Sequence, residues 1–367
     1  MRIKPETRTS YAYLLQWILT ALLSGALCAS AVRLFSVLLR KITFFLGTSP
    51  FLPDNTSTPL PVWTAAGVLI VILVIYRLRP DTIIEGIPSY IRGLTADSGK
   101  MHPAQTAGKF FAALVTLGTF GSGGVVGPLG RVSAGISSLA GRLLKRSGLP
   151  CPDLHTASIC GMAAGVGAIF HAPLGGGLFA VEVIRKARLG YKTVFPAVLS
   201  STAAVFFCRS LGWEPFYRIS AVSGPLNISV IYLVVLISFL SGITGNAFEN
   251  LYAYIVRKTA RGQGNILGKA LAGSMIAALL AWIINPDLMS TSSAMIPSIM
   301  TGDFIAVTGN LEGVLPLWAV ILIMMALKLL FNCLTVGTGM SAGFTGPAVL
   351  AGMLLGAAAA VFAGIPP

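Results

Sequence analysis

Charge is scarce in this 367-residue sequence: charged residues make up 10% of it, and only 12 are acidic. A water-soluble domain carries about a quarter, and a chain that is 55% hydrophobic would aggregate in water. Its solvent is therefore lipid. Histidine is nearly absent, with three copies. The five cysteines, Cys28, Cys151, Cys160, Cys208 and Cys333, have neither metal-binding nor redox spacing. They read as small buried residues, with no disulfide framework. Paired carboxylates, a Ser-His-Asp set and a histidine cluster are all missing, so no catalysis, metal or cofactor is expected. Short segments of alternating polarity are missing too, which excludes a β-barrel.

The net charge of +14 invites a nucleic-acid reading. The placement of the basic residues argues against one. Lys145-Arg146, Arg185-Lys186 with Arg188, and Arg257-Lys258 with Arg261 form short clusters beside apolar runs. Positive-inside topology puts such clusters on the cytoplasmic face, together with Arg2, Lys4 and Arg8. The run from Tyr13 to Ala31 is too long for a signal-peptide core and reads as the first membrane helix.

Apolar runs and 41 glycines dominate what is there. Helical patterns fall near 13–38, 62–78, 106–120, 130–144, 155–170, 174–184, 192–209, 229–256, 266–284, 313–335 and 344–364. Several are shorter than the ~20 residues that cross a bilayer upright. Short helices interrupted by glycine or proline line cavities in transporter cores, because unpaired backbone cannot face lipid. The more polar stretches 47–61 and 285–312 read as loops.

An internal repeat emerges when residue n is set beside n + 219. Lys109 meets Lys328, Thr116 meets Thr335, Gly118 meets Gly337 and Thr119 meets Thr338. Gly124 then meets Gly343, Gly127 meets Gly346 and Pro128 meets Pro347. Corresponding breaks in two halves point to a substrate site at the repeat interface.

Four breaks precede helix-forming runs: Glu85–Pro88, Gly121–Pro128, Phe170–Gly175 and Gly337–Pro347. A helix N-terminus presents free N–H groups and the positive end of its dipole. Several such ends can hold an anion without a lysine. Neutral donors suit conduction, since the ion must also leave.

These breaks resemble the motifs of the CLC family of chloride channels and chloride/proton exchangers. Ile84-Glu85-Gly86-Ile87-Pro88 is similar to its Gly-Ser-Gly-Ile-Pro motif. Gly124-Val125-Val126-Gly127-Pro128 is similar to its Gly-Lys/Arg-Glu-Gly-Pro motif, with Lys109-Phe110-Phe111 and Thr116-Leu117-Gly118 at the family's spacing upstream. Phe170-His171-Ala172-Pro173-Leu174-Gly175-Gly176 is close to its Phe-Asn-Ala-Pro-Leu-Ala-Gly motif. Gly343-Phe344-Thr345-Gly346-Pro347 is similar to its Gly-x-Phe-x-Pro motif. The resemblance runs through nearly the whole chain in family order.

It implies an all-α polytopic membrane protein, an inverted-repeat bundle of short, tilted and broken helices. It also implies a homodimer with one pore per subunit. Chloride or a similar small anion would be held by backbone N–H groups near Gly86 and Ile87 and near Phe344 and Thr345, with Gly124, Gly127, Pro128, Gly343, Gly346 and Pro347 forming the breaks. The departures are specific. The family's gating glutamate falls on Val126, its internal proton-relay glutamate on Val183, and its anion-coordinating serine on Glu85, which leaves Val126 and Glu85 as the pore or gate positions. Family helices and a pore tyrosine have no counterpart before the last residue, Pro367. The expected organisation is a cytoplasmic segment 1–12, a first membrane repeat 13–215, a linker 216–228, and a second repeat 229–367 that is incomplete at its C-terminus. The expected function is passive, proton-uncoupled passage of an anion across the bilayer of a prokaryotic plasma membrane. An antiporter with a relocated proton relay and a non-conducting truncated membrane protein are the alternatives.

Overall fold

A computed structural model describes residues 5–47, 59–77, 85–148, 153–185, 191–217, 228–261 and 265–364. Among these residues the structure is helical. Extended pairing is confined to one isolated bridge between Gly124 and Gly343. The helices are α1 Pro5–Gly47, α2 Leu60–Leu69 continuing as a π-helical Ile70–Tyr76, α3 Gly86–Thr95, α4 Pro103–Gly118, α5 Val126–Arg146, α6 Leu154–Phe170 and α7 Pro173–Arg185. After them come α8 Tyr191–Ser210, α9 Ile228–Arg261, α10 Ile266–Ile284, α11 Met295–Thr301, α12 Ile305–Thr308, α13 Leu317–Gly337 and α14 Thr345–Phe362.

Among the described residues, six helices are long and apolar enough to cross a membrane: Leu14–Gly47, Lys192–Ser210, Ile231–Ala260, Ile266–Ile284, Leu317–Gly337 and Thr345–Phe362. Shorter apolar helices (Leu60–Leu73, Leu154–Phe170 and Pro173–Ile184) accompany them, as the broken pattern of the sequence predicts. The ten residues of α3, which carry Ser89 and Arg92 beside glycine and proline, lie outside the long apolar runs but begin at the break Glu85–Pro88, where a helix start is expected. The sequence undercounts helix in one place. The stretch 285–312, read as a loop, folds into α11, α12 and two 3-10 turns. Met295, Ile296 and Ile299 bury one face of α11. Residues 48–58, most of the other stretch read as a loop, lie outside the described residues, as do Arg2, Lys4, Lys186 and Arg188.

The chain divides into two compact units. The first comprises residues 1–38, 84–111 and 126–217. There α5 packs on α6, α6 on α7 and α8, and α3 on α5. Small residues bring these helices close, as membrane packing requires. A Cβ on Gly161 would lie 2.5 Å from Ser137 Cβ. Hydroxyls then bond across the seam: Ser137 Oγ donates to Ala157 O at 2.6 Å, and Ser200 Oγ to Cys160 O at 2.9 Å. Cys28, Cys160, Cys208 and Cys333 are buried and form no disulfide.

The second unit comprises residues 39–83, 112–125 and 218–367. There α13 packs on α14, α9 and α10, and α10 on α2. Val68, Val71, Ile72, Tyr76, Ala112, Ala270 and Met340 form an apolar core, and Tyr76 satisfies its hydroxyl by donating to Gly339 O at 2.8 Å.

The sequence repeat has a direct structural counterpart in this unit. The C-terminus of α4 closes with Gly121 N donating to Thr116 O and Phe120 N to Leu117 O, at 2.8 and 3.3 Å. The C-terminus of α13 closes with Met340 N donating to Thr335 O and Gly339 N to Val336 O, at 3.2 and 3.1 Å. Each residue of the second set lies 219 positions after its mate. The pattern is a Schellman cap, which needs a positive φ at its fifth residue. Gly339 meets that need at φ 113°, whereas Phe120 adopts φ 65° without glycine's freedom.

Candidate functional site

Three of the helix starts share one device. In α3, α5 and α14 the third helical residue is proline: Pro88, Pro128 and Pro347. A first-turn N–H has no intrahelical acceptor, so proline there costs no bond and fixes the backbone for helix entry. Gly86-Ile87, Val126-Gly127 and Thr345-Gly346 are left to offer their N–H groups.

In the first unit the starts of α3 and α5 meet. A Cβ on Gly86 would collide with the carbonyl of Gly127 and lie 2.6 Å from Pro128 N, so only glycine allows this approach. Val126 opens α5 and is fully buried. The N-cap of α3 is Glu85, whose Oε2 accepts from Ile87 N at 2.8 Å. The same carboxylate also interacts with the N–H of Gly86. The two N–H groups expected to hold an anion are therefore engaged by the chain's own carboxylate. Glu85 is only 8% exposed, and its Oε1 has no hydrogen-bond partner. The opposite charge acting on it is the buried Lys109 of α4. Arg131, also buried, donates from Nε to Ser89 Oγ at 3.2 Å and from Nη1 to Thr106 Oγ1 at 3.5 Å.

The third motif lies in the same unit. His171 ends α6 at φ 53°, a left-handed cap, and Pro173 starts α7 two residues later. The His171 Nε2 has no hydrogen-bond partner. Val183 is half-buried in α7, and its neighbour Glu182 is exposed.

In the second unit the repeat-related Gly124 and Gly343 bond to each other twice. Gly124 N donates to Gly343 O at 2.8 Å, and Gly343 N to Gly124 O at 2.7 Å. A Cβ on Gly124 would lie 2.8 Å from Gly346 N and 3.0 Å from Pro347 Cδ. The breaks around these two glycines thus meet at backbone contact. Phe344 caps α14 with no side-chain hydrogen bond to the helix end. Its ring packs against Tyr252 at 4.5 Å and Phe248 at 5.6 Å between centroids. Thr345, the first helical residue, is half-buried.

The sequence reading missed the role of Lys328. It is fully buried in α13. Its ammonium donates to Ser122 Oγ at 3.0 Å, Leu288 O at 2.9 Å and Ser290 O at 3.0 Å. All three N–H bonds go to neutral oxygens. Asn332, one turn on, donates from Nδ2 to Gly343 O at 3.2 Å and Ser122 O at 3.4 Å, leaving its Oδ1 without a partner. Lys328 and Asn332 thereby tie the glycine-rich break 121–124 to α13. The available signal was a lysine inside an otherwise apolar run, which marks a functional position by default.

The family model described as voltage gated chloride channel matches residues 66–366. The chain belongs to this family, the CLC family. It is accordingly an integral, multi-pass membrane protein. An uncharacterized protein of Methanocaldococcus jannaschii is 26% identical over 252 residues, 66% of this chain and 57% of that protein. A chloride/fluoride channel protein of Pseudomonas syringae pv. tomato is 23% identical, covering 99% of this chain and 76% of the relative. The CLC fold is shared with a CLC-type fluoride/proton antiporter of known crystal structure, at TM-score 0.79 and 21% identity over 96% of this chain and 83% of that one. A slow cyanobacterial Cl-/H+ antiporter shares it at TM-score 0.69 and 16% identity, over 94% of this chain and 77% of that one.

Proposed function

We propose that this CLC protein moves a small anion, chloride first among the candidates, across a prokaryotic plasma membrane by a passive route uncoupled from protons. The observation that carries the reading is Val126, a fully buried aliphatic residue at the first position of α5. Valine has no charge to compete with an anion and no proton to exchange. Val183 in α7 is equally inert. In this reading the anion stations are the start of α14 (Phe344, Thr345), where neutral N–H groups give enough attraction for entry and little enough for exit, and the start of α3 (Gly86, Ile87), whose N–H groups the Glu85 carboxylate engages in this structure. Two inverted membrane repeats and a homodimeric assembly belong to the same reading.

Coupled exchange is the second reading. It is favoured by the buried carboxyl of Glu85, since ionisable side chains inside a membrane are where proton routes run. The two antiporters that share the fold lend it support. Anion flux from liposomes with a simultaneous pH readout separates the two readings. Flux without proton movement supports the passive route, and stoichiometric proton movement supports exchange.

A further inference from the structure

We propose that the seam between α1 and α5 holds one anionic phospholipid, with an acyl chain in an apolar groove and the phosphate at Lys145 and Arg146. The proposal goes beyond the transport reading and does not depend on it.

Two contacts pin α1 to α5, both within the first unit. Ser24 Oγ and Ser137 Oγ share a hydrogen bond of 2.6 Å, and Cys28 Sγ donates to Ser133 O at 3.4 Å. The partners on α5 descend in number as those on α1 ascend, so the two helices run antiparallel. Beside this seam lies a cavity of about 370 Å³. Leu23 and Leu27 of α1 and Ile136, Leu139 and Leu143 of α5 line it, and every lining residue except Ser147 is apolar. The pinning residues are small, whereas the leucines beside them reach outward: Leu27 is 41% and Leu143 53% exposed. Packed helices leave no void of this size between them, so something fills it. An apolar lining offers nothing to an ion and suits a hydrocarbon chain.

The polar end of the groove selects the headgroup. Ser147 is the last lining residue along α5, and it directly follows Lys145 and Arg146 in the final turn. All three are exposed. The Lys145 and Arg146 side chains make no hydrogen bond or ion pair among the described residues, and none with Asp153 at the start of α6. Arg142, one turn earlier, is by contrast committed to Met101 O at 2.7 Å and Ser138 O at 3.4 Å. The step from an exposed leucine at 143 to exposed cations at 145 and 146 is where a helix leaves hydrocarbon for the headgroup layer. A lipid with its chain in the groove brings its phosphate to that level. Arginine can take two phosphate oxygens at once, lysine adds a point charge, and Ser147 Oγ adds a donor. A zwitterionic headgroup carries an ammonium that these cations repel, so the matching lipid has a net negative head. Basic pockets between membrane helices recognise anionic headgroups in this way. The helix dipole accounts for a basic final turn, but not for the groove that ends in it.

The test titrates the full chain, purified in detergent, with phosphatidylglycerol or phosphatidylethanolamine of identical acyl chains, and counts the lipid retained per chain by native mass spectrometry. The wild type should retain one phosphatidylglycerol per chain, with an affinity about tenfold or more above that for phosphatidylethanolamine, since each cation beside an anionic headgroup adds a severalfold gain. Lys145→Gln combined with Arg146→Gln should erase that preference and leave weak, equal retention of both lipids. Leu139→Trp puts an indole into the groove from a position that is 37% exposed, and should lower retention of both lipids. Leu27→Trp takes its place if that variant does not fold. Arg257→Gln combined with Lys258→Gln removes two cations of α9 that do not line the groove, and should change nothing. Equal wild-type affinity for the two lipids overturns the proposal. So does a preference that survives the loss of Lys145 and Arg146, a preference lost as fully in the α9 variant, or retention that the folded tryptophan variant leaves unchanged.

Discussion

Gly124→Ala places a methyl group where the backbone leaves none. The new Cβ would lie 2.8 Å from Gly346 N, 3.0 Å from Pro347 Cδ and 3.2 Å from Gly343 O. None of these belongs to the end of a flexible side chain, so relief requires the two breaks to separate. Separation stretches both hydrogen bonds between Gly124 and Gly343. Each buried group left without a partner costs about 1–3 kcal/mol, and no water is at hand in a bilayer interior to take its place. Gly124 N, Gly124 O and Gly343 N would lose their partner, whereas Gly343 O keeps the Asn332 amide, so loss of both bonds destabilises the second unit by about 3–9 kcal/mol, the lower end applying if the bonds only lengthen. Gly352→Ala is the control. Its Cβ meets nothing within 4 Å, and alanine is preferred over glycine in a helix by about 1 kcal/mol. The two substitutions thus have opposite expected signs. Thermal unfolding in detergent, followed by the fluorescence of the five tryptophans, should show Tm falling by several degrees for Gly124→Ala and holding or rising for Gly352→Ala. A Gly124→Ala protein that melts with the wild type would refute the close-contact argument for the two breaks.

Two other substitutions probe the same unit. Lys328→Met removes three hydrogen bonds of a charged donor, about 1.5–3 kcal/mol each, and recovers several kcal/mol of desolvation. The Leu288 and Ser290 carbonyls are left without that donor, so a net loss of about 1–4 kcal/mol is expected as a lowered Tm. A raised Tm would mean that desolvation outweighs the bonds. Gly339→Ala forces a side chain onto a backbone at φ 113° and should cost at least about 1 kcal/mol in the same melt, more than the usual Gly→Ala gain. An unchanged or higher Tm would count against the strained cap.

The repeat was legible because it is written in residues that cannot be exchanged freely. Thr116, Gly118, Gly124 and their mates fix caps and close contacts, and the structure reproduces the same backbone bonds 219 residues apart. The long apolar helices were legible from hydropathy, although α1 runs on to Gly47 and α9 to Arg261, past the patterns that end near 38 and 256. What was not legible follows from the local character of sequence patterns. Residues 285–312 are polar enough to read as a loop, yet the apolar positions 295, 296 and 299 are spaced for one helical face. Glu85 could be seen beside the proposed site, but whether it turned to water or to its own helix depends on side-chain torsions and on Lys109, 24 positions away in sequence. Lys328 matched Lys109 in the repeat, but its acceptors, Ser122, Leu288 and Ser290, come from segments that no periodicity connects to α13.

Chloride efflux from liposomes with internal pH recorded at the same time is the most direct test of proton-uncoupled anion passage. The wild type should release chloride down its gradient with no proton uptake. Proton uptake in fixed proportion to chloride, abolished by Glu85→Gln, would contradict the passive route and place the proton path at Glu85.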